Sequence, residues 1–102
     1  MTALPLVKVE LSGGCELLFG KQSSIPLVDV VPQGYTLQHL VVLLREKYIV
    51  ERPEQFVDAT GTTLRPGVLA LVNDCDAEVL GGMSYVLENN DTVEFVSTLH
   101  GG

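Results

Sequence analysis

Positive charge is scarce in this chain: six Lys and Arg stand against thirteen Asp and Glu in 102 residues, for a net charge of −7. It is absent from residues 73–102, which hold six acids and no Lys or Arg. Phosphate-backbone binding rests on such cations, so no direct nucleic-acid contact is expected and a basic protein partner is favoured. Cysteine is nearly as rare. Cys15 and Cys75 stand apart, with no CxxC and no histidine at metal spacing, so neither a metal site nor a disulfide framework is expected. Long apolar runs are missing too: the run at residues 40–44 falls far short of the roughly 20 residues a membrane-spanning helix needs. The opening Met1-Thr2-Ala3-Leu4-Pro5 has no basic segment ahead of an apolar one, so no secretory signal is expected. A cytoplasmic, reduced protein without a membrane association is the reading these absences favour.

What is present is a core. Apolar residues make up 46% of the chain, enough to exclude wholesale disorder, and the length suits one domain. Val7, Val9 and Leu11 alternate with Lys8 and Glu10, the period of a half-buried strand. Ser12-Gly13-Gly14 supplies a turn, after which Glu16-Leu17-Leu18-Phe19 is expected to return as the second strand of a hairpin. Ile25-Pro26-Leu27-Val28-Asp29-Val30-Val31 can run extended, although the prolines here argue against a central strand. Thr36 is a credible N-cap, and Leu37, Leu40, Val41, Leu44 and Tyr48 then recur at helical spacing. Pro53 suits the first position of a single helical turn. Val68-Leu69-Ala70-Leu71-Val72 is apolar on both faces and reads as an interior strand. Asn73-Asp74 begins a turn, Glu78-Val79-Leu80 is expected as a short strand, and residues 88–91 form a turn cluster. The last strand runs over residues 92–99, with Val93 and Phe95 on one face and Glu94, Val96 and Thr98 on the other.

Strands, one helix, then strands again define an α+β chain. One main helix packed across a mixed sheet buries these stripes most simply, which is the ubiquitin-like β-grasp arrangement. The expected division is a β-grasp domain over residues 1–99 and a flexible His-Gly-Gly tail over residues 100–102.

No self-sufficient active site is visible, and no catalytic residue is assigned. His39 reads as a solvated helix residue, and Cys15 and Cys75 as ordinary small residues whose acidic neighbours oppose thiolate formation. Asp74, Asp76 and Glu78 lack the spacing of a calcium loop. The informative feature is the ending Thr98-Leu99-His100-Gly101-Gly102. Glycines without Cβ atoms can thread a narrow channel and let another enzyme's backbone approach closely. Fully extended, those five residues reach roughly 17 Å, ample to carry the Gly102 carboxylate into a neighbour's nucleotide site. A docking surface should accompany such a tail. If Leu69, Leu71, Val93 and Phe95 face the helix, then Val68, Ala70, Val72 and Val96 point the other way, and Val68, Ala70 and Val96 are expected to bind a partner with Glu94 on the rim.

The chain resembles the ubiquitin-related modifier family over essentially its whole length. The resemblance is carried by Gly13-Gly14, Glu16-Leu17-Leu18-Phe19, Glu51-Arg52-Pro53-Glu54, Arg65-Pro66-Gly67, Asn73-Asp74, Leu80-Gly81 and the ending Ser97-Thr98-Leu99-His100-Gly101-Gly102. Departures are local, at Cys15, Cys75, Ala77 and the slightly longer stretch 57–63. The resemblance implies a sulfur carrier that is a co-substrate rather than an enzyme and holds no cofactor of its own. An activating enzyme with a rhodanese domain would spend ATP to adenylate Gly102 and convert it to a thiocarboxylate. The implied recipients are a thiouridylase complex, acting on the wobble uridine of cytosolic tRNAs, and lysines of target proteins. A monomer in the cytoplasm, with room for a nuclear pool, completes the expectation. Two alternatives stand beside it: a noncovalent ubiquitin-like binding module, and the small subunit of an enzyme resembling molybdopterin synthase.

Overall fold

A computed structural model describes residues 4–98. Its organising element is a five-stranded mixed sheet. β1 (Val7–Ser12) pairs antiparallel with β2 (Ser24–Leu27) and parallel with β5 (Asp91–Ser97). On the far side of β5 lies β3 (Val68–Val72), antiparallel to it, followed by the two-residue β4 (Cys75–Asp76). The spatial order is therefore β2-β1-β5-β3-β4. The helix α1 (Leu37–Lys47) crosses one face of this sheet, the β-grasp arrangement anticipated from the element order.

The helix forms where its apolar period begins. Thr36 caps it with its hydroxyl accepting from the His39 amide, while His39 Nδ1 accepts the Thr36 N–H at 3.0 Å, closing a reciprocal box. His39 is exposed, as its sequence suggests, but this capping role is not readable from composition. Leu37, Leu40, Val41 and Leu44 are all fully buried against Val7, Val9, Val93 and their neighbours. Completing the core, the three phenylalanines stack edge to face in a chain. Phe19 meets Phe56 at 5.2 Å between centroids, and Phe56 meets Phe95 at 5.3 Å. Such pairs add about 0.5–1.5 kcal/mol each beyond the area they bury.

Two expected strands are something else. Residues 16–19 belong to a 3-10 turn, Cys15–Phe19, bracketed by left-handed Gly14 and Gly20. Cys15, Leu18 and Phe19 point inward while Leu17 stays exposed, a helical spacing rather than an alternation. The partner of β1 comes later, at Ser24–Leu27, and its Pro26 is tolerated because β2 lies at the sheet edge. Residues 78–80 are likewise a 3-10 turn, Ala77–Leu80, whose first N–H groups are met by Asp76: its carboxylate accepts from the Glu78 amide at 2.9 Å. The strand there is the preceding pair, Cys75–Asp76. As expected, Pro53 opens a single turn, Pro53–Gln55. The proposed boundary between residues 99 and 100 lies outside the described residues.

Asp91 is the buried polar residue that ties the second half together. Its carboxylate accepts from the Tyr85 hydroxyl at 2.7 Å, the Asn73 amide at 2.9 Å and the Glu88 N–H at 2.9 Å. Burial first, and the bond to Asp91 second, hold the Tyr85 hydroxyl above its usual range. The sequence places Asp91 in a turn cluster, yet it is the first residue of β5. Replacing it strands three donors at once, so Asp91→Ala should cost about 2–3 kcal/mol in urea denaturation. A loss below about 0.5 kcal/mol, the level of an ordinary surface change, would show that the three donors find water instead.

Candidate functional site

The site begins where β5 ends. Ser97 pairs with Val68 as the last rung of the β3–β5 ladder. One residue further, the Thr98 amide and the Thr98 hydroxyl both donate to the Gly67 carbonyl, each at 2.7 Å. That carbonyl belongs to a tight turn over residues 65–68, closed by the Val68 N–H donating to the Arg65 carbonyl at 3.0 Å. Pro66 and Gly67 occupy its central positions with Gly67 at φ 100°, the signature of a type II turn. The turn is fastened to the core because the Arg65 N–H donates to the Phe56 carbonyl at 2.9 Å. The expected tail residues Leu99, His100, Gly101 and Gly102 lie outside the described residues.

Beside this exit is the face of the sheet that the helix leaves open, and its composition corrects the expected patch. Val68 and Ala70 are each only 6% exposed and belong to the buried core. The register explains the inversion: Ala70 pairs with Phe95 and Val72 with Val93, so those four share the core face. Leu69 pairs with Val96 and Leu71 with Glu94, and these four look outward. A strand apolar on both sides carries no internal mark of which side is which, and a one-residue shift in pairing flips every side chain. Leu69 is 45% exposed, whereas Val96, Leu71 and Glu94 are half-buried. Val96 and Glu94 thus lie on the expected face; Val68, Ala70 and Val72 do not, and Leu69 and Leu71 stand outward instead.

The open face is acidic around this apolar strip. Glu10 stands opposite Glu94 in the β1–β5 register, and both line a shallow recess with Leu71, Asn73, Asp74 and Thr92. Ser12 donates its hydroxyl to Glu94 Oε2 at 2.8 Å. Among the described residues, no group of three or more His, Cys, Asp or Glu side chains is arranged to hold a metal ion. Both cysteines carry free thiols. Cys15 is fully buried, and burial, helped by the neighbouring Glu16 charge, pushes its thiol up to about 12. Cys75 is half-buried on the edge strand β4, its Sγ 3.8 Å from the Asp76 carbonyl.

Comparison with known proteins decides what this arrangement belongs to. The sequence profile of Urm1 (Ubiquitin related modifier) matches residues 6–102, nearly the whole chain and the Gly101-Gly102 ending with it. The chain belongs to the ubiquitin-related modifier family. It is 46% identical over 96 residues to a ubiquitin-related modifier 1 homolog of Dictyostelium discoideum, covering 94% of this chain and 98% of the relative. Ubiquitin-related modifier 1 of Mus musculus is 42% identical over 102 residues, covering 98% and 99%. The solution structure of Urm1 from Trypanosoma brucei is 60% identical, superposes with a TM-score of 0.84 and covers 100% of both chains. As a member of this family the chain is a ubiquitin-like modifier, and the end of β5 adjoins the open face of its sheet.

The parity of the sheet is directly testable. Leu69→Asp should leave circular dichroism and cooperative melting intact, whereas Ala70→Asp, burying an unpaired carboxylate, should destabilise by more than about 3 kcal/mol. Equal tolerance at both positions would contradict the assignment of faces. The thiols offer a second check. At pH 8 an aromatic disulfide reagent should titrate one thiol per native chain, Cys75, and two in denaturant, because only a thiolate at an accessible sulfur reacts. Two fast thiols in the native protein would mean that the turn at Cys15–Phe19 opens readily.

Proposed function

We propose that the chain is a sulfur carrier and protein modifier whose reacting group is the Gly102 carboxylate. The observation that carries this reading is the family match through Gly101-Gly102. The root of that segment, strand β5, lies in the middle of the sheet, which supports a tail presented from a rigid base. A carboxylate is a poor electrophile, and adenylation corrects that. One carboxylate oxygen attacks the α-phosphorus of ATP, the bond to pyrophosphate breaks, and Gly102 becomes an acyl-adenylate. A persulfide of the partner's rhodanese domain attacks the carbonyl carbon and displaces AMP. A second partner thiol then cleaves the acyl disulfide, leaving the Gly102 thiocarboxylate and a disulfide on the partner.

The chain supplies position, and the chemistry belongs to others. It acts as a protein co-substrate, needs no bound cofactor of its own, and consumes ATP only through the activating enzyme. Its sulfur passes to a thiouridylase complex that modifies the wobble uridine of cytosolic tRNAs, and the activated carboxyl also joins lysines of target proteins. Contact with tRNA runs through these partners, in keeping with the shortage of Lys and Arg. We place the protein in the cytoplasm, with a nuclear pool, as a monomer. The outward strip of Leu69, Leu71 and Val96, with Glu94 and Glu10 beside it, is the surface that docks the activating enzyme. It adjoins the exit of the tail, and its acids suit a basic partner.

Mass spectrometry tests this. Incubation with ATP, an activating enzyme of this class and a sulfur donor should add about 16 Da, the replacement of one carboxylate oxygen by sulfur in the chemistry of an activated acyl group. Removing Gly102 should abolish the gain. No gain in the full chain, or an equal gain without Gly102, would sink the reading.

A further inference from the structure

We infer that Thr98 is a positioning residue for the terminal carboxylate, an inference that rests on the function proposed above. Its two bonds to Gly67, with Gly13 on the opposite flank, fix the point from which the last four residues extend.

Strand ends fray because their outer groups lack partners. Here the end of β5 is held on both sides. Toward β3, Thr98 offers its amide and its hydroxyl to the same Gly67 oxygen, each at 2.7 Å, filling both lone pairs of that carbonyl. Threonine suits the task, since its branched Cβ leaves few rotamers to lose when the hydroxyl is held. Toward β1, the chain turns at Gly13, and a Cβ built there would lie 2.4 Å from the Ser97 carbonyl oxygen and 3.1 Å from Val96 Cγ1. No side chain fits in that gap, and Gly13 also adopts a φ of +66°. The turn therefore passes close to the backbone of Ser97, leaving no room for a side chain, while Gly67 holds the residue after it.

Both flanks are stretches that the sequence marks without explaining. Arg65-Pro66-Gly67 has no part in the proposed chemistry, yet its turn aims the Gly67 carbonyl and ties it through Arg65 to Phe56. Gly13-Gly14 reads as a simple hairpin turn, yet Gly13 is the only residue type that lets this turn close on β5. Thr98 itself is exposed, so its two bonds bury no apolar surface and contribute little to the core.

The consequence is metrical. Beyond Thr98 four residues can span at most about 14 Å. An activating enzyme that grips the open sheet face receives the carboxylate at a distance counted from Thr98. Release of the clamp moves the origin back along β5 and adds freedom to every atom after it. A misplacement of about 1 Å in a reacting group can cost up to about a hundredfold in rate.

The test separates placement from docking and from stability. In pyrophosphate–ATP exchange with an adenylating partner, Thr98→Val should lower kcat by about tenfold or more while KM stays within about twofold, because the docking face is untouched. Thr98→Ser keeps the hydroxyl and should restore most of the rate. Inserting one glycine after Thr98 leaves the clamp intact but shifts the carboxylate by up to about 3.4 Å, and should lower kcat as well. Independently of any partner, the heteronuclear 15N NOE of Ser97 and Thr98 should fall in Thr98→Val and hold in Thr98→Ser. Unchanged kcat or unchanged NOE in Thr98→Val, an equal defect in Thr98→Ser, a change confined to KM, or indifference to the inserted glycine would each overturn the inference. Failure of the wild-type chain to support exchange would instead count against the sulfur-carrier reading, and the relaxation measurement would still decide the clamp.

Discussion

The parallel pairing of the first strand with the last is the constraint on which the rest of this structure depends. Parallel strands cannot be joined by a tight turn, so everything between β1 and β5 must serve as their connection. Strand β2, the helix, the turn at Pro53–Gln55 and strands β3 and β4 all belong to that connection, folded back to cover one face and extend the sheet. Because β5 is inserted between β1 and β3, the C-terminal strand is among the best-supported parts of the molecule. A chain end usually leaves a domain from a frayed margin. This one leaves from the centre of the sheet, with a neighbour on each side of its final rung.

The phenylalanine chain couples that centre to the exit. Phe95 lies on β5, Phe56 follows the turn at Pro53–Gln55, and the Phe56 carbonyl receives the Arg65 amide at the start of the Pro66-Gly67 turn. The position of the Gly67 carbonyl is therefore inherited from core packing and not from a surface loop. Rings in edge-to-face contact at 5.2 and 5.3 Å resist sliding, since each has one preferred approach to the next. Asp91 acts similarly at the opposite end of β5, gathering Tyr85, Asn73 and Glu88 around the first residue of the strand. Both ends of the strand that carries the tail are thus fixed, one by a buried carboxylate and one by a doubly used carbonyl.

What could be read from the sequence was whatever repeats locally. The helix is written in the spacing of Leu37, Leu40, Val41 and Leu44 behind Thr36, and β1 and β5 in their alternation. Leu17-Leu18-Phe19 is apolar without a period, and its choice of a 3-10 turn is settled by Phe19 meeting Phe56, a contact made far along the chain. Residues 68–72 fail for a related reason. Their five side chains are all apolar, so the face presented to the helix is decided by pairing with β5 and by nothing within the strand. The clamp at Thr98 uses a backbone carbonyl as its partner, and a backbone carbonyl leaves no trace in composition. Only the family resemblance at Arg65-Pro66-Gly67 pointed to that place.

The open face carries features that the fold alone does not call for. Glu10 and Glu94 are register partners on the parallel strands β1 and β5, so two acids share one stretch of the open face. The Ser12 hydroxyl donates to Glu94. Lys8 lies on the same outward face, two residues before Glu10 and paired with Thr92. These acids stand beside an outward strip of Leu69, Leu71 and Val96, apolar side chains left partly open to water. Local rules are broken most often where a surface serves something other than the fold. Here both features lie on one face and next to one exit, and a basic, apolar-centred partner would suit both in the act of receiving the tail.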